Sequence, residues 1–376
     1  YLYLAVDHTE EMKALEAKLA ENEKKMAEKQ KDYKDKFQKD EENWAAILDK
    51  LDLEEKEIEN VVTSLHITGV GDSVLLGAVD ALYKKFPNSY FDAEVSRSIW
   101  AAKEILAELK SKSLLGDTVV INLGANGDCS ESCKKAIIEE CENRKVFWIN
   151  VTNDKDVHIN EKLANLETLY DNLYIIDWAE ESKDHKEYFY ADGIHLNPTG
   201  QKAYTNVIYE NIYRVYLEEY RAKKDQIIKD HDEEQKKKII FYGNELLINS
   251  YIQLEKKFPD AKYETDKDYT YDTLVSDIGK DLKKDSFGRL ILVFDRSMEL
   301  NKEQIEKIAN KYKNLEVYLV AIEDEIKISS NENSKITKID FYKEIEKHSE
   351  YLMADHIHLS EEGNKALAKF LEKYLK

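Results

Sequence analysis

A serine, a histidine and an aspartate in this chain have the types and settings that nucleophilic catalysis needs. Ser73 stands in Gly69-Val70-Gly71-Asp72-Ser73-Val74-Leu75-Leu76-Gly77. The apolar run before it, Leu65-His66-Ile67-Thr68, reads as a buried strand, and the pattern after it reads as a helix to about Lys85, before Phe86-Pro87. Ser73 is therefore expected at a strand-to-helix turn. Its hydroxyl would be exposed at the sheet edge, and the first helical N–H groups would face a developing oxyanion. An ordinary helix cap has the same look, so other residues must decide. Asp192-Gly193-Ile194-His195 lies in a loop before a helix opened by Pro198. His195 can take a serine proton, and Asp192, three residues away, can fix the imidazole tautomer and stabilise its cation. Asn126, in Gly124-Ala125-Asn126-Gly127, can donate its side-chain amide to an oxyanion beside the Ser73 N–H. Each motif alone has a bland reading as a turn or a cap. In this order and on these elements they point together to acyl transfer through a serine.

The elements that must position them alternate. Leu65–Val70, Thr118–Leu123, Val146–Val151 and Leu173–Asp177 read as strands. Val74–Lys85, Ser98–Leu109, Cys129–Asn143, His158–Asp171 and a long segment after Pro198 read as helices. Such alternation gives a parallel sheet flanked by helices, with its site in the loops beyond the carboxyl ends of the strands.

The chain then repeats itself. Gly71 and Gly243 are 172 residues apart, as are Lys84-Lys85-Phe86-Pro87 and Lys256-Lys257-Phe258-Pro259, and Gly116 and Gly288. Further on the offset is 163, where Ile176-Asp177-Trp178 meets Ile339-Asp340-Phe341, and Asp192 and His195 meet Asp355 and His358. Nine residues have therefore been lost, most simply around the helix after Val151. In the copy Glu245 replaces Ser73, Met298 aligns with Asn126, and Ser297 is one residue away. The copy is expected to be catalytically inactive, a scaffold or glycan-binding surface on which Tyr263, Tyr269 and Tyr271 would stack on sugars. A new site built from Glu245 and His358 is the alternative.

Residues from about His8 to Val62 contain neither Gly nor Pro. Met12, Leu15, Leu19, Met26 and Tyr33 fit one heptad frame, and Phe37, Trp44, Ile47 and Leu51 fit a second, shifted by four. Asn22 and Asp40 interrupt the seam. The segment is expected to be a stalk or helical hairpin, with a dimerisation helix or a helix packed along the domains as alternatives. The resulting organisation is a coiled-coil-like stalk over 1–63, an α/β domain over 64–220, a charged helical connector over 221–238 and an α/β copy over 239–376.

With 35% charged residues and a net charge of −20, the chain offers no basic surface for nucleic acid or anionic lipid. No run is long enough to span a membrane. Cys129, Cys133 and Cys141 do not stand at zinc-site spacing, so no metal is expected. Cys129 and Cys133 are either a local disulfide, if the domain is extracellular, or free thiols on a helix face.

The motifs around Ser73, Asn126 and His195 resemble blocks I, III and V of the SGNH (GDSL-like) hydrolases, over roughly Leu65–Tyr220. More narrowly, the chain resembles the extracellular catalytic domain of Gram-positive peptidoglycan O-acetyltransferases. That likeness is carried by Thr68-Gly69-Val70-Gly71-Asp72-Ser73-Val74, Asp92-Ala93-Glu94-Val95-Ser96-Arg97, Ile175-Ile176-Asp177-Trp178 and Asp192-Gly193-Ile194-His195-Leu196-Asn197-Pro198. The resemblance implies two tandem flavodoxin-like (SGNH) domains behind the helical stalk. It implies Ser73 as nucleophile, His195 as base, Asp192 as its orienter, and an oxyanion hole from Ser73, Ser96 and Asn126. Ser96 stands where the wider family has a Gly, and Asp72 would be a turn residue. No cofactor is implied. The implied reaction is acetyl transfer, through acetyl-Ser73, to the muramic acid C6 hydroxyl of peptidoglycan glycan strands. The donor would be delivered by a membrane acyltransferase domain that these residues do not include. Tyr1–Val6 and the helix after it would suit that junction, on the outer cell surface. The alternatives are a carbohydrate or peptidoglycan O-acetylesterase using the same residues, and a non-catalytic cell-wall-binding module.

Overall fold

The computed structural model describes residues 9–152, 158–282, 287–295, 297–298, 300–312, 315–322 and 336–375. Contacts divide the chain into two compact units, residues 48–225 and residues 1–47 with 226–376. The divisions fall inside two long helices, α1 (Thr9–Lys56) and α8 (Pro198–Gln235), and not at 63 and 220 as the composition suggested.

In the unit 48–225, α1 ends and α2 (Ile58–Ser64) leads into β1 (Ile67–Gly71) and α3 (Ser73–Lys85). There follow β2 (Tyr90–Ala93), α4 (Ala102–Ser111), β3 (Thr118–Asn122), α5 (Glu131–Glu140), β4 (Lys145–Ile149), α6 (His158–Glu167), β5 (Leu173–Ile176) and α7 (Trp178–Ser182). The five strands are parallel, in the order β2-β1-β3-β4-β5. Both faces are covered, which explains the unbroken apolar runs. Alternate residues point to opposite sides. Val120, Phe147 and Ile149 pack with Leu75 and Leu82 of α3 and with Ile208 and Ile212 of α8. Val119, Ile121, Val146 and Trp148 pack with Leu106 of α4, Ile137 of α5 and Leu163 of α6. The last part of α8 in this unit is tied to the end of α1: Lys224 meets Asp52 at 2.6 Å and Glu55 at 2.8 Å, and Arg221 meets Glu55 at 2.8 Å.

The other unit repeats the plan with β6 (Ile239–Gly243), α9 (Glu245–Lys257), β7 (Lys262–Thr265), α10 (Tyr271–Asp281), β8 (Arg289–Val293), α11 (Lys302–Lys311), β9 (Glu316–Ala321), β10 (Ile336–Asp340), α12 (Tyr342–Ile345) and α13 (Glu361–Leu375). Its strand order, β7-β6-β8-β9-β10, is that of the first sheet. Between the fourth and fifth strands the paired positions Trp148 and Ile175 are 27 residues apart and their counterparts Leu319 and Lys338 are 19 apart, so eight of the nine lost residues lie there; the ninth is lost before the third strand. Residues 323–335 are outside the described residues.

The first part of α1 does not stand as a free stalk. Leu15 and Met26 are buried, and Met26 joins the core formed by Phe241, Leu247 and Tyr251. Asn22, which breaks the heptad seam, is buried too, and its amide donates to the Ile248 carbonyl at 2.8 Å. The helix packed along a domain is therefore the alternative realised, because its stripe finds an apolar partner in its own chain. Tyr263 and Tyr269 are buried in the cores of this unit and offer no face to a sugar.

Candidate active site

Ser73 is the first residue of α3, at the carboxyl end of β1. A Cβ on Gly71 would come within 2.4 Å of Leu75 Cβ, so only glycine lets the helix fold back this tightly over the strand end. Asp72 caps the helix, its Oδ1 accepting from the Val74 N–H at 2.9 Å. Only 1% of Asp72 is exposed, and burial raises its pKa despite the hydrogen bonds it accepts. Among the described residues the Ser73 N–H has no acceptor, as befits the first turn of a helix.

The Asp192–His195 loop is a tight turn with Gly193 at φ +70°. Asp192 Oδ1 accepts from the N–H groups of Ile194 and His195 at 2.9 and 3.0 Å, and its Oδ2 lies 2.7 Å from His195 Nδ1. These bonds, the imidazole first, lower the Asp192 pKa to about 2. A carboxylate on Nδ1 assigns the proton to that nitrogen and leaves Nε2 as an acceptor. Nε2 lies 3.0 Å from Ser73 Oγ. Ser73, His195 and Asp192 thus form one hydrogen-bonded line. The side chains of His195 and Asp192 are each 48% exposed.

The loop after β2 brings Ser96 to this edge. Its φ is +62°, a left-handed backbone that glycine adopts most easily, so the serine keeps a glycine-type conformation. Among the described residues its N–H has no acceptor. Arg97 pins the loop. It donates to the carbonyls of Asp92 at 2.6 Å and Gly71 at 3.3 Å, and pairs with the Asp92 carboxylate at 2.6 Å. Asn126 does not point into open space: its amide donates to Asp72 Oδ2 at 3.2 Å and to the Arg97 carbonyl at 3.4 Å. Both contacts are long and therefore weak. Arg97 and the Asp72–Asn126 link carried no role in the sequence reading. The Asp92–Arg97 motif contained the signal for the first; nothing in the sequence pairs the second. Cys129 and Cys133 form a disulfide, with Cα atoms 6.0 Å apart, and Cys141 is free and buried. Among the described residues no group of His, Cys, Asp and Glu could hold a metal ion, and no helix is long and apolar enough to cross a membrane.

In the second domain His358 Nδ1 lies 2.5 Å from Asp355, and Nε2 lies 3.5 Å from Glu245 Oε1. Asn244 replaces Asp72 as the cap and donates to Asp295 at 2.8 Å and to Ser297 Oγ at 2.9 Å. The register of the third strand differs by one: Gly71 faces Asn122, whereas Gly243 faces Val293. The structural counterpart of Asn126 is therefore Ser297, not Met298, which is buried in the core.

The chain is 30% identical over 142 residues to O-acetyltransferase OatA of Staphylococcus aureus (strain NCTC 8325 / PS 47), covering 37% of this chain and 24% of that one. It is 31% identical over 148 residues to YrhL of Bacillus subtilis (strain 168), whose name marks it as a proposed peptidoglycan O-acetyltransferase, covering 39% and 23%. Less than two fifths of the chain is thus similar to proteins named as peptidoglycan O-acetyltransferases. It spans about a quarter of the length of the curated relatives it matches. No family model matches it. Among solved structures it is similar to the catalytic domain of Streptococcus pneumoniae peptidoglycan O-acetyltransferase A, with a TM-score of 0.36 and 23% identity, covering 40% of this chain and 93% of that one. The family resemblance read from the motifs agrees with these relatives.

Proposed function

We propose that the unit 48–225 is a serine-dependent O-acetyltransferase domain acting on peptidoglycan at the outer cell surface. The hydrogen-bonded line Asp192–His195–Ser73 at the carboxyl edge of the sheet, in a chain related to OatA, carries this reading. His195 Nε2 takes the Ser73 proton as Oγ attacks the acetyl carbonyl, and Asp192 stabilises the imidazolium. The Ser73 and Ser96 N–H groups and the Asn126 amide, exchanging its long bond to Arg97, stabilise the oxyanion. Collapse leaves acetyl-Ser73 and returns the proton to the departing group. A glycan hydroxyl, the muramic acid C6 hydroxyl in the family's reaction, then gives its proton to His195 and takes the acetyl group. The acetyl donor would come from a membrane acyltransferase partner. The half-exposed His195 and Asp192 side chains favour a second reading, an O-acetylesterase with water as acceptor.

The test is a paired assay of this chain and Ser73→Ala. An activated acetyl ester is supplied with and without a peptidoglycan-type oligosaccharide, and products are read by mass spectrometry. Acetylated sugar from the wild type alone supports the transferase. Acetate release without acetylated sugar supports the esterase. Neither product from folded protein overturns both and leaves a binding module.

A further inference from the structure

Two residues beyond Asn126 the chain is held by an unusual arrangement. Lys134, on the first turn of α5, is fully buried, and its ammonium donates to Asp128 and, at 2.7 Å, to the Cys129 carbonyl. Asp128 is gripped from its other oxygen by Lys162 at 2.7 Å, and its Oδ1 also accepts from the Cys129 N–H at 2.8 Å. The Cys129–Cys133 disulfide ties the same stretch to α5. A buried ammonium is kept only where paired and hydrogen-bonded, so this cluster fixes the loop covalently and electrostatically at once. Upstream, the loop is fixed where Trp148 Nε1 donates to the Leu123 carbonyl at 3.1 Å. Between these anchors stand Gly124 at φ +140°, Asn126 and Gly127 at φ +114°. Those glycines let the chain make a turn closed by the Gly127 N–H donating to the Gly124 carbonyl at 3.2 Å, and within that turn the Asn126 amide has two long hydrogen bonds of its own.

We infer that Lys134 is a positioning residue for the oxyanion site: with the Cys129–Cys133 disulfide, its buried ion pair to Asp128 sets the position of the Asn126 amide. The inference rests on the proposed role of Asn126 and adds to it how that role is maintained. In the second domain the counterpart of Lys134, the fourth residue of α11, is the buried Ile305; that domain has no cysteine and no amide at the Asn126 place.

A double-mutant cycle tests it, with kcat and KM measured on an activated acetyl ester and folding checked by thermal melting. Lys134→Met is expected to lower kcat by about ten- to a hundredfold, the scale of a roughly 1 Å misplacement, with KM nearly unchanged. In an Asn126→Ala background the same change is expected to cost nothing further. Losses that multiply in both backgrounds, or full activity in folded Lys134→Met, overturn the inference and leave the oxyanion role intact. Full activity in Asn126→Ala removes that role and the inference with it. Should Lys134→Met fail to fold, Asp128→Asn, which removes the charge that Lys134 pairs with and leaves the disulfide in place, decides by the same criteria.

Discussion

In the first domain the imidazole Nε2 meets the Ser73 hydroxyl at 3.0 Å; in the second it meets the Glu245 carboxylate at 3.5 Å. Around that one exchange much is kept. Both domains share the strand order, a helix of thirteen residues after the first strand, and the Asp-His turn. The antiparallel bridge that closes the turn, Phe189–Leu196, recurs as Leu352–Leu359. Gly200 and Gly363 each abut a tyrosine carbonyl, Tyr188 or Tyr351, so tightly that a Cβ would come within about 2.1 Å. Even the left-handed position of Gly193 persists, although His356 now occupies it at φ +57°. The comparison separates what the fold needs from what the chemistry needs. The Asp-His turn belongs to the first group, since it survives where the imidazole has a second acceptor beside it and no hydroxyl proton to take.

The largest effects should come from Ser73→Ala and His195→Ala. Each is expected to abolish turnover of an activated acetyl ester, a loss on the order of 10⁴–10⁶, with the melting temperature unchanged. Substantial turnover in folded Ser73→Ala would place the chemistry elsewhere and dissolve the contrast. Asp192→Ala should cost less, about 10²–10⁴ in kcat, because the base survives without its orienter. Glu245→Ala should leave kcat within about twofold; a collapse with the fold intact would make the second domain a working site. Finest of all is the titration of the two turn aspartates. The Asp192 carboxyl, followed by carbon NMR, should titrate at about 2 in the native protein and return toward 3.8 in His195→Ala. Its pKa is depressed on folding, so its stabilising contribution is complete above the unfolded value and fades as pH falls toward about 2. Asp355 should shift downward as well, less freely, since partial burial opposes the His358 hydrogen bond there. An unshifted Asp192 would mean that the turn does not hold its imidazole.

The parallel sheet was legible because its inner strands are apolar on both faces, and the three residues that the structure joins by hydrogen bonds, Ser73, His195 and Asp192, stood out because they sit at turns that punctuate the pattern. The edge strand β2 was not, since Tyr90–Ala93 is four half-buried residues including an aspartate, with no alternation to betray it. The helix expected over Cys129–Asn143 is shorter. Ser130 caps it by accepting from the Cys133 N–H, and Glu142 at φ +56° lies beyond its end. The one-residue slip that pairs Ser297 with Asn126 is already present along the third strand, and aligned letters say nothing of strand register. Lys134 looked like any lysine on a charged helix, and only the fold reveals that it is buried.

The caps of the two domains hold a further consequence. In the first, the loop amide of Asn126 donates to the carboxylate of Asp72; in the second, the cap amide of Asn244 donates to loop acceptors Asp295 and Ser297. Donor and acceptor have traded places across the same gap, so each cap now fits only its own loop. Restoring a serine at position 245 would still leave the loop without an amide, and restoring the loop amide alone would set it against another amide at the cap. A change of cap and a change of loop are therefore coupled in each domain: exchanging one of them alone trades a carboxylate–amide contact for another pairing, and only exchanging both reproduces the contact of the other domain.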